Sequence, residues 1–146
     1  MEKNENIGKL FSILHRQGQM FFQKAFEDDE IGGGQIFFLL HLIFKKGINQ
    51  KTLAEEMFVD KGTAARAVDH LIQAGLIRRQ PDPEDGRAYQ LYPTEKAFSF
   101  YKTFELRANE WEQILTKGLS DKMIVELKSV INKIVDNVQN YRNSQK

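Results

Sequence analysis

Lys61, Thr63, Arg66 and His70 are side chains of the kinds that read or clamp nucleic acid, and they recur along one short run. Arg66 carries a planar fork that can meet guanine N7 and O6 in two parallel hydrogen bonds, or hold a phosphate. Thr63 offers a hydroxyl to a base or phosphate and a methyl to thymine. Lys61 most simply meets a phosphate. On a helix, Gly62, Arg66, Asp69 and Gln73 share one stripe, flanked by Lys61, Thr63 and His70. Ala64 or Ala65, Val68, Leu71 and Ile72 share the opposite, inward stripe. Docked in a major groove, the early residues reach base edges, so the expected contacting set is Lys61, Thr63, Ala64, Arg66 and His70. A second candidate lies downstream at Asp85 and Arg87. An arginine on an exposed loop can enter a narrow minor groove, and Asp85 is placed to orient Arg87 by a salt bridge. Plain solvated charges are the blander reading of both groups.

The other chemistry is thin. There is no cysteine, which excludes disulfides, thiolate zinc sites and thiol redox sensing. His15, His41 and His70 lie far apart with no carboxylate cluster beside them, so no metal is expected. His15, Arg16, Phe37, Phe38, His41 and Trp111 could line a pocket for a small aromatic or anionic ligand. The competing reading of His41 is a hydrogen-bonded core histidine, and of the aromatics ordinary packing. No nucleophile, acid–base dyad, phosphate-binding loop or cofactor fingerprint is present, so neither an enzyme nor a cofactor is expected.

The elements that must position these residues follow from periodicity and caps. Ile7, Leu10, Phe11 and Leu14, continued by Met20, Phe21, Ala25 and Phe26, predict one amphipathic helix over 6–29. Gly32, Gly33 and Gly34 predict a flexible break, because glycine costs about 1 kcal/mol against alanine inside a helix. An apolar helix is expected over 35–46, stopped by Gly47. Asn49 then caps a short helix in which Ala54 lets its successor approach closely, and Asp60 caps the next, over 61–75, stopped by Gly75. Residues 76–80 and 88–92 predict antiparallel strands, with turn chemistry at Pro81, Asp82, Pro83, Asp85 and Gly86. Thr94 caps a helix of about twenty residues whose inward face is Ala97, Phe98, Tyr101, Phe104, Ala108, Trp111 and Leu115, with Gly118 as its stop. Ser120 or Asp121 caps a last helix whose Ile124, Leu127, Ile131, Ile134, Val138 and Tyr141 repeat as a heptad seam. The polar tail 140–146 is expected to fray.

The whole chain of 146 residues carries a formal net charge of +1, so the electrostatic argument must be local. Within 61–79, Lys61, Arg66, Arg78 and Arg79 face Asp69 alone, a basic patch suited to DNA. Across 49–96 the acids slightly outnumber the bases. The N-terminus is polar, and the longest apolar run, 36–44, is about half of the ~20 residues a membrane helix needs. A cytoplasmic protein with no membrane partner is expected.

The order helix, turn, helix, strand, wing, strand resembles the MarR family of bacterial winged-helix regulators. The resemblance rests on Ala54-Glu55-Glu56, Arg66-Ala67-Val68-Asp69-His70-Leu71, Gly75-Leu76-Ile77-Arg78-Arg79, Asp85-Gly86-Arg87 and Leu91-Tyr92-Pro93-Thr94-Glu95-Lys96-Ala97. It implies a mainly α fold with a β-hairpin wing. It implies one MarR-like domain over 1–146, with dimerisation helices at 6–30 and 95–143 and a DNA-binding lobe at 35–94. It further implies a homodimer on a palindromic double-stranded operator, acting as a repressor and released by a small, commonly aromatic ligand held between the dimer helices and the lobe. The family's wing signature falls on Asp85 and Arg87. Two departures stand out: an acidic wing, and Ala88 where relatives often carry a hydroxyl. The acidic wing motivates the alternative, a winged helix that contacts protein without specific DNA binding.

Overall fold

The computed structural model describes residues 6–29 and 31–145. In chain order these form α1 (Ile7–Ala25), α2 (Gly33–Phe44), α3 (Gln50–Glu56), α4 (Lys61–Gln73), β1 (Ile77–Pro81), β2 (Tyr89–Pro93), α5 (Glu95–Thr116) and α6 (Asp121–Asn143). The chain divides into two compact units, Met1–Asn109 and Glu110–Lys146. The N-terminal residues 1–5, Glu30 at the edge of the first expected dimerisation helix, and Lys146 lie outside the described residues.

Local chemistry sets most boundaries of the first unit. The Asn49 side-chain oxygen accepts the Thr52 N–H at 2.8 Å, and Asp60 Oδ1 accepts the Thr63 N–H at 2.8 Å. Each satisfies one of the orphan donors at a helix start. Gly75 stops α4 with φ +73°. Gly47, at φ +88°, is required twice over, since a Cβ there would stand 3.1 Å from Tyr92 Oη. Thr94 joins two elements: its hydroxyl donates to Gly75 O at 2.7 Å and accepts the Ala97 N–H at 3.4 Å.

The core of this unit is built on α2. Ile36, Leu39 and Leu42 are fully buried where α2 packs on α4 and β2, and Leu53 of α3, Val68 and Leu71 of α4, and Leu91 of β2, which is 1% exposed, are buried with them. Burying each such side chain stabilises the fold by about 1.5–3 kcal/mol relative to leaving it in water. An aromatic layer joins α1 to the first half of α5: Phe22 stacks on Phe104 at 5.2 Å, and Phe26 meets Phe100 at 4.8 Å. The hairpin pairs Ile77 with Pro93 through to Pro81 with Tyr89. Proline at both strand ends is tolerated because this two-stranded sheet is all edge.

Several expectations need correction. The three glycines are not a linker: Gly32 is the N-cap of α2, and Gly33 and Gly34 lie in its first turn. The Gln35 side chain makes this tenable, since its Oε1 accepts the Gly32 N–H at 2.7 Å. Helix α2 ends at Phe44 and α1 at Ala25, both short of the expected limits. Both strands start one residue later than expected. On α5, Phe98 is 44% exposed and Phe100 takes the inward place.

The second unit contains the end of α5 and all of α6. Ser120 is the N-cap, its Oγ accepting the Met123 N–H at 3.3 Å, and Gly118 turns the chain at φ +81°. Lys128 Nζ donates to Glu112 Oε1 at 2.6 Å. Helix α6 reaches Asn143, so the expected fraying tail is helical for its first residues.

Candidate nucleic-acid interface

Helix α4 is built to keep one face clear. Ala64, Val68 and Leu71 are fully buried and Ala67 nearly so, which commits that stripe to the core. Lys61, Gly62, Arg66, Asp69, His70 and Gln73 stay exposed. Ala64 is therefore a correction: it belongs to the core stripe and cannot reach DNA, while Ala65, one residue on, is half-buried.

The start of α4 is a short relay. Asp60 Oδ2 accepts the Thr63 hydroxyl at 2.7 Å, and Thr63 Oγ1 accepts Arg66 Nη2 at 3.2 Å. Thr63's proton is thus committed to the cap, and its hydroxyl serves to position Arg66. The Thr63 hydroxyl and N–H hold the Asp60 carboxyl below its ordinary pKa, with Arg66 adding a smaller contribution. Gly62 makes room for this, because a Cβ there would lie 3.3 Å from Arg66 Nη1. The guanidinium rests along the first turn, where it can swing out to a base or phosphate.

His70 faces a different neighbour. Its Nδ1 lies 2.9 Å from Gln35 Nε2. Gln35 Oε1 already accepts the Gly32 N–H, which leaves Nε2 as the atom turned to the His70 ring. Gln35 therefore links the first turn of α2 to the third turn of α4.

The wing is shaped by its acids. Asp82 Oδ1 accepts the Glu84 N–H at 2.9 Å, and Asp85 Oδ1 accepts the Arg87 N–H at 3.0 Å. Asp85 thus organises the backbone of Arg87, where a salt bridge to its guanidinium was expected. Both carboxylates are committed to turns, and the Arg87 side chain stays exposed.

The basic patch does not survive as one surface. Adjacent strand residues point to opposite faces. Arg78 accordingly lies over the Tyr92 ring, 4.9 Å from its centroid, while Arg79 Nη2 donates to Asp69 Oδ1 at 3.0 Å and Gln50 Oε1 at 3.4 Å. Arg79 ties β1 to α3 and α4 at once. Beside it opens a cleft of about 520 Å³ between the start of α3 and the wing, lined among others by Gln50, Lys51, Arg79, Arg87 and Tyr89. Lys51 and this cleft were not anticipated. The alternation of Arg78 and Arg79 was readable from the strand period alone.

The residues expected to line a ligand pocket differ in their surroundings. Phe38 is 8% exposed in the core, and Phe37, His15 and Arg16 are exposed. His41 Nε2 lies 2.5 Å from Glu56 Oε2, which also accepts Lys45 Nζ at 3.1 Å, so His41 is hydrogen-bonded and half-buried. These contacts, His41 first, lower the Glu56 pKa. Trp111 belongs to the second unit and is half-buried there. None of the six lines the cleft beside Arg79 or a further cleft of about 400 Å³ that includes Asp28, Asp29, Lys96 and Phe100. Among the described residues no three His, Asp or Glu side chains gather to hold a metal, and no helix is long and apolar enough to cross a membrane.

A capped helix with one clear face, a short helix braced against it and a two-stranded wing define a winged helix-turn-helix. The chain belongs to the MarR family of transcriptional regulators. The MarR family sequence model matches residues 31–88, from α2 to the wing. The crystal structure of a MarR transcriptional regulator from Methanosarcina mazei Go1 is 36% identical, with a TM-score of 0.88 over 92% of this chain and 97% of that one. An uncharacterized HTH-type transcriptional regulator of Bacillus subtilis, YybA, is 27% identical over 114 residues, 78% of this chain and 76% of the relative. A putative MarR family regulator from Listeria monocytogenes, crystallised with a 26mer DNA, shares the fold at 23% identity and a TM-score of 0.85, over 94% of this chain and 91% of that one.

Proposed function

We propose that this protein is a sequence-specific DNA-binding repressor that works as a homodimer on a palindromic operator. The observation that carries this reading is the face of α4, where Lys61 and Arg66 stand exposed and Asp60 and Thr63 hold Arg66 at the helix start. With α4 in the major groove, Lys61 meets phosphate and Arg66 a base edge or phosphate, while the exposed Arg87 serves the adjacent minor groove. His70, in the third turn and hydrogen-bonded to Gln35, sits at the margin of that footprint. A two-fold dimer spaces its recognition helices about one DNA turn, ~34 Å, apart. Such a protein acts in the cytoplasm, on the operator DNA it binds, and catalyses nothing. Release by a small aromatic or anionic ligand completes the reading by resemblance to the family, and titration of a bound operator with benzoate-type acids tests it.

The direct experiment is selection of genomic fragments by the purified protein, followed by a salt titration of the winner. Recovery of a palindrome whose affinity falls steeply with salt is the expected result, because phosphate contacts release counterions. Binding that enriches no sequence and ignores salt would overturn the reading in favour of a protein-contacting winged helix.

A further inference from the structure

The turn between α3 and α4 breaks a backbone rule. Phe58 N–H donates to Glu55 O at 3.2 Å and Val59 N–H to Ala54 O at 3.0 Å. These paired bonds close a helix through a left-handed residue just past its C-cap, a place glycine usually fills because it has no Cβ. The chain follows that rule at Gly75 and Gly118, with φ of +73° and +81°. At the end of α3 the left-handed residue is Phe58, at φ +58°, the one non-glycine residue with positive φ among those described. A bulky side chain in this region is a genuine outlier.

Burial accounts for only part of the choice. Phe58 is 49% exposed, although Leu53 and Ala54 in the preceding helix are 0% and 4% exposed. An aromatic ring is held in a costly conformation with half its surface in water. Departures of this kind gather at working surfaces, where function retains what folding disfavours. Its position identifies the surface. Phe58 stands two residues before Asp60, the N-cap of α4, and three before Lys61, so it adjoins the residues assigned to DNA. With the start of α4 in a major groove, the turn leading into it meets the groove wall. There thymine methyls and deoxyribose carbons offer apolar surface between the phosphates.

We propose that Phe58 is an apolar DNA contact, its ring packed against a thymine methyl or sugar at the edge of each half-site. This rests on the DNA-binding reading above. Lys61 and Arg66 supply charge, which attracts any duplex, whereas a neutral ring adds a contact indifferent to salt and sensitive to groove shape.

The test compares Phe58→Gly and Phe58→Ala with the wild type, by thermal melting and by fluorescence anisotropy on the selected operator. Phe58→Gly is expected to melt at or above the wild type, since glycine accepts the left-handed conformation. Both variants are expected to bind about tenfold more weakly, the scale of half an aromatic ring returned to water. Their salt slope should match the wild type, whereas Lys61→Ala, which removes a phosphate contact, should lose about one unit of slope. An operator carrying deoxyuridine for thymine assigns the contact: equal weakening marks the methyl, no change the sugar. Wild-type binding with undiminished affinity in both variants would overturn the Phe58 contact alone. So would Phe58→Gly melting well below the wild type, which would show that the ring packs the turn. A wild-type protein that selects no DNA would overturn the DNA reading and this contact together.

Discussion

Arg66 gains its value from the two residues that hold it. Asp60 fixes Thr63 through both backbone and hydroxyl, and Thr63 in turn receives the guanidinium. Removing the cap with Asp60→Ala should lower the melting temperature, because the Thr63 N–H loses its acceptor, and should also release Arg66 from its perch. The pH dependence follows from the direction of the Asp60 shift. Folding lowers this pKa, so the ionised cap favours the folded state throughout the range above the ordinary carboxylate value, about 4. That contribution is lost as pH falls through the depressed folded value. The difference in melting temperature between wild type and Asp60→Ala should therefore stay constant from about pH 7 to 5 and shrink only below about 4. A difference that already narrows between neutrality and pH 5 would show that the cap is not what Asp60 contributes. At the DNA, Arg66→Ala should cost about 1–3 kcal/mol of operator affinity and relax specificity at one position if it reads a base. Arg87→Ala should weaken binding too. Wild-type affinity in both variants, measured on folded protein, would remove these residues from the interface.

Among elements, the wing is tied to α3 and α4 by one arginine, beside the backbone bonds that join Leu91 to Gly47 and Ile48. Arg79 bonds Asp69 of α4 and Gln50 of α3, and all three groups are open to solvent, so the pair is worth only ~0.2–1 kcal/mol to global stability. Its effect should instead be local. Asp69→Ala is expected to leave the melting temperature within a few degrees, while hydrogen exchange at the wing amides speeds up and operator affinity drops. Unchanged wing exchange would show that the hairpin holds its place by the buried Ile77 and Leu91 and by the backbone bonds of Leu91 to Gly47 and Ile48, without Arg79. Legibility divides along the same line between local and collective chemistry. Asn49, Asp60, Ser120, Gly75 and Gly118 could be read as boundaries because a cap or a left-handed turn is decided within a few residues. Phe98 against Phe100 could not be settled, since apolar residues stand on both sides of the stripe and only packing on Phe26 chooses the rotation. Ala64 against Ala65 is the same problem in miniature. The glycine run misled because Gln35, three residues along, closes the helix start that the glycines alone would leave open. The Asp60–Thr63–Arg66 relay was half visible: the cap could be read, but where a long side chain comes to rest is a property of the folded helix face.

At the scale of the whole molecule the telling observation is a helix with no inside. None of the 23 residues of α6 is buried, and its Val125, Val130, Val138 and Tyr141 are each more than half exposed. On α1, Ile7 and Met20 are likewise 62% and 61% exposed. Apolar surface this extended is rarely left in water by a monomer, and the heptad spacing of Ile124, Leu127, Ile131, Ile134, Val138 and Tyr141 is the pattern of a helix that packs along another. A second copy of the chain covers it most simply, since self-complementary contacts close a two-fold dimer. Sedimentation at micromolar concentration should then give twice the 17.0 kDa chain mass. Charges placed in the seam, as in Leu127→Glu with Val138→Glu, should shift the protein toward the monomer while leaving the α4 face and wing unaltered. The consequence for DNA is larger than either substitution would suggest. A dimer meets its second half-site as an intramolecular event, and losing that linkage typically removes roughly 10²- to 10⁴-fold in affinity. The variant should therefore bind a full palindrome scarcely better than an isolated half-site, with the salt slope roughly halved as the phosphate contacts halve. A wild-type protein that sediments as a monomer, or a seam variant that keeps full preference for the palindrome, would place the source of two-fold recognition somewhere other than α6.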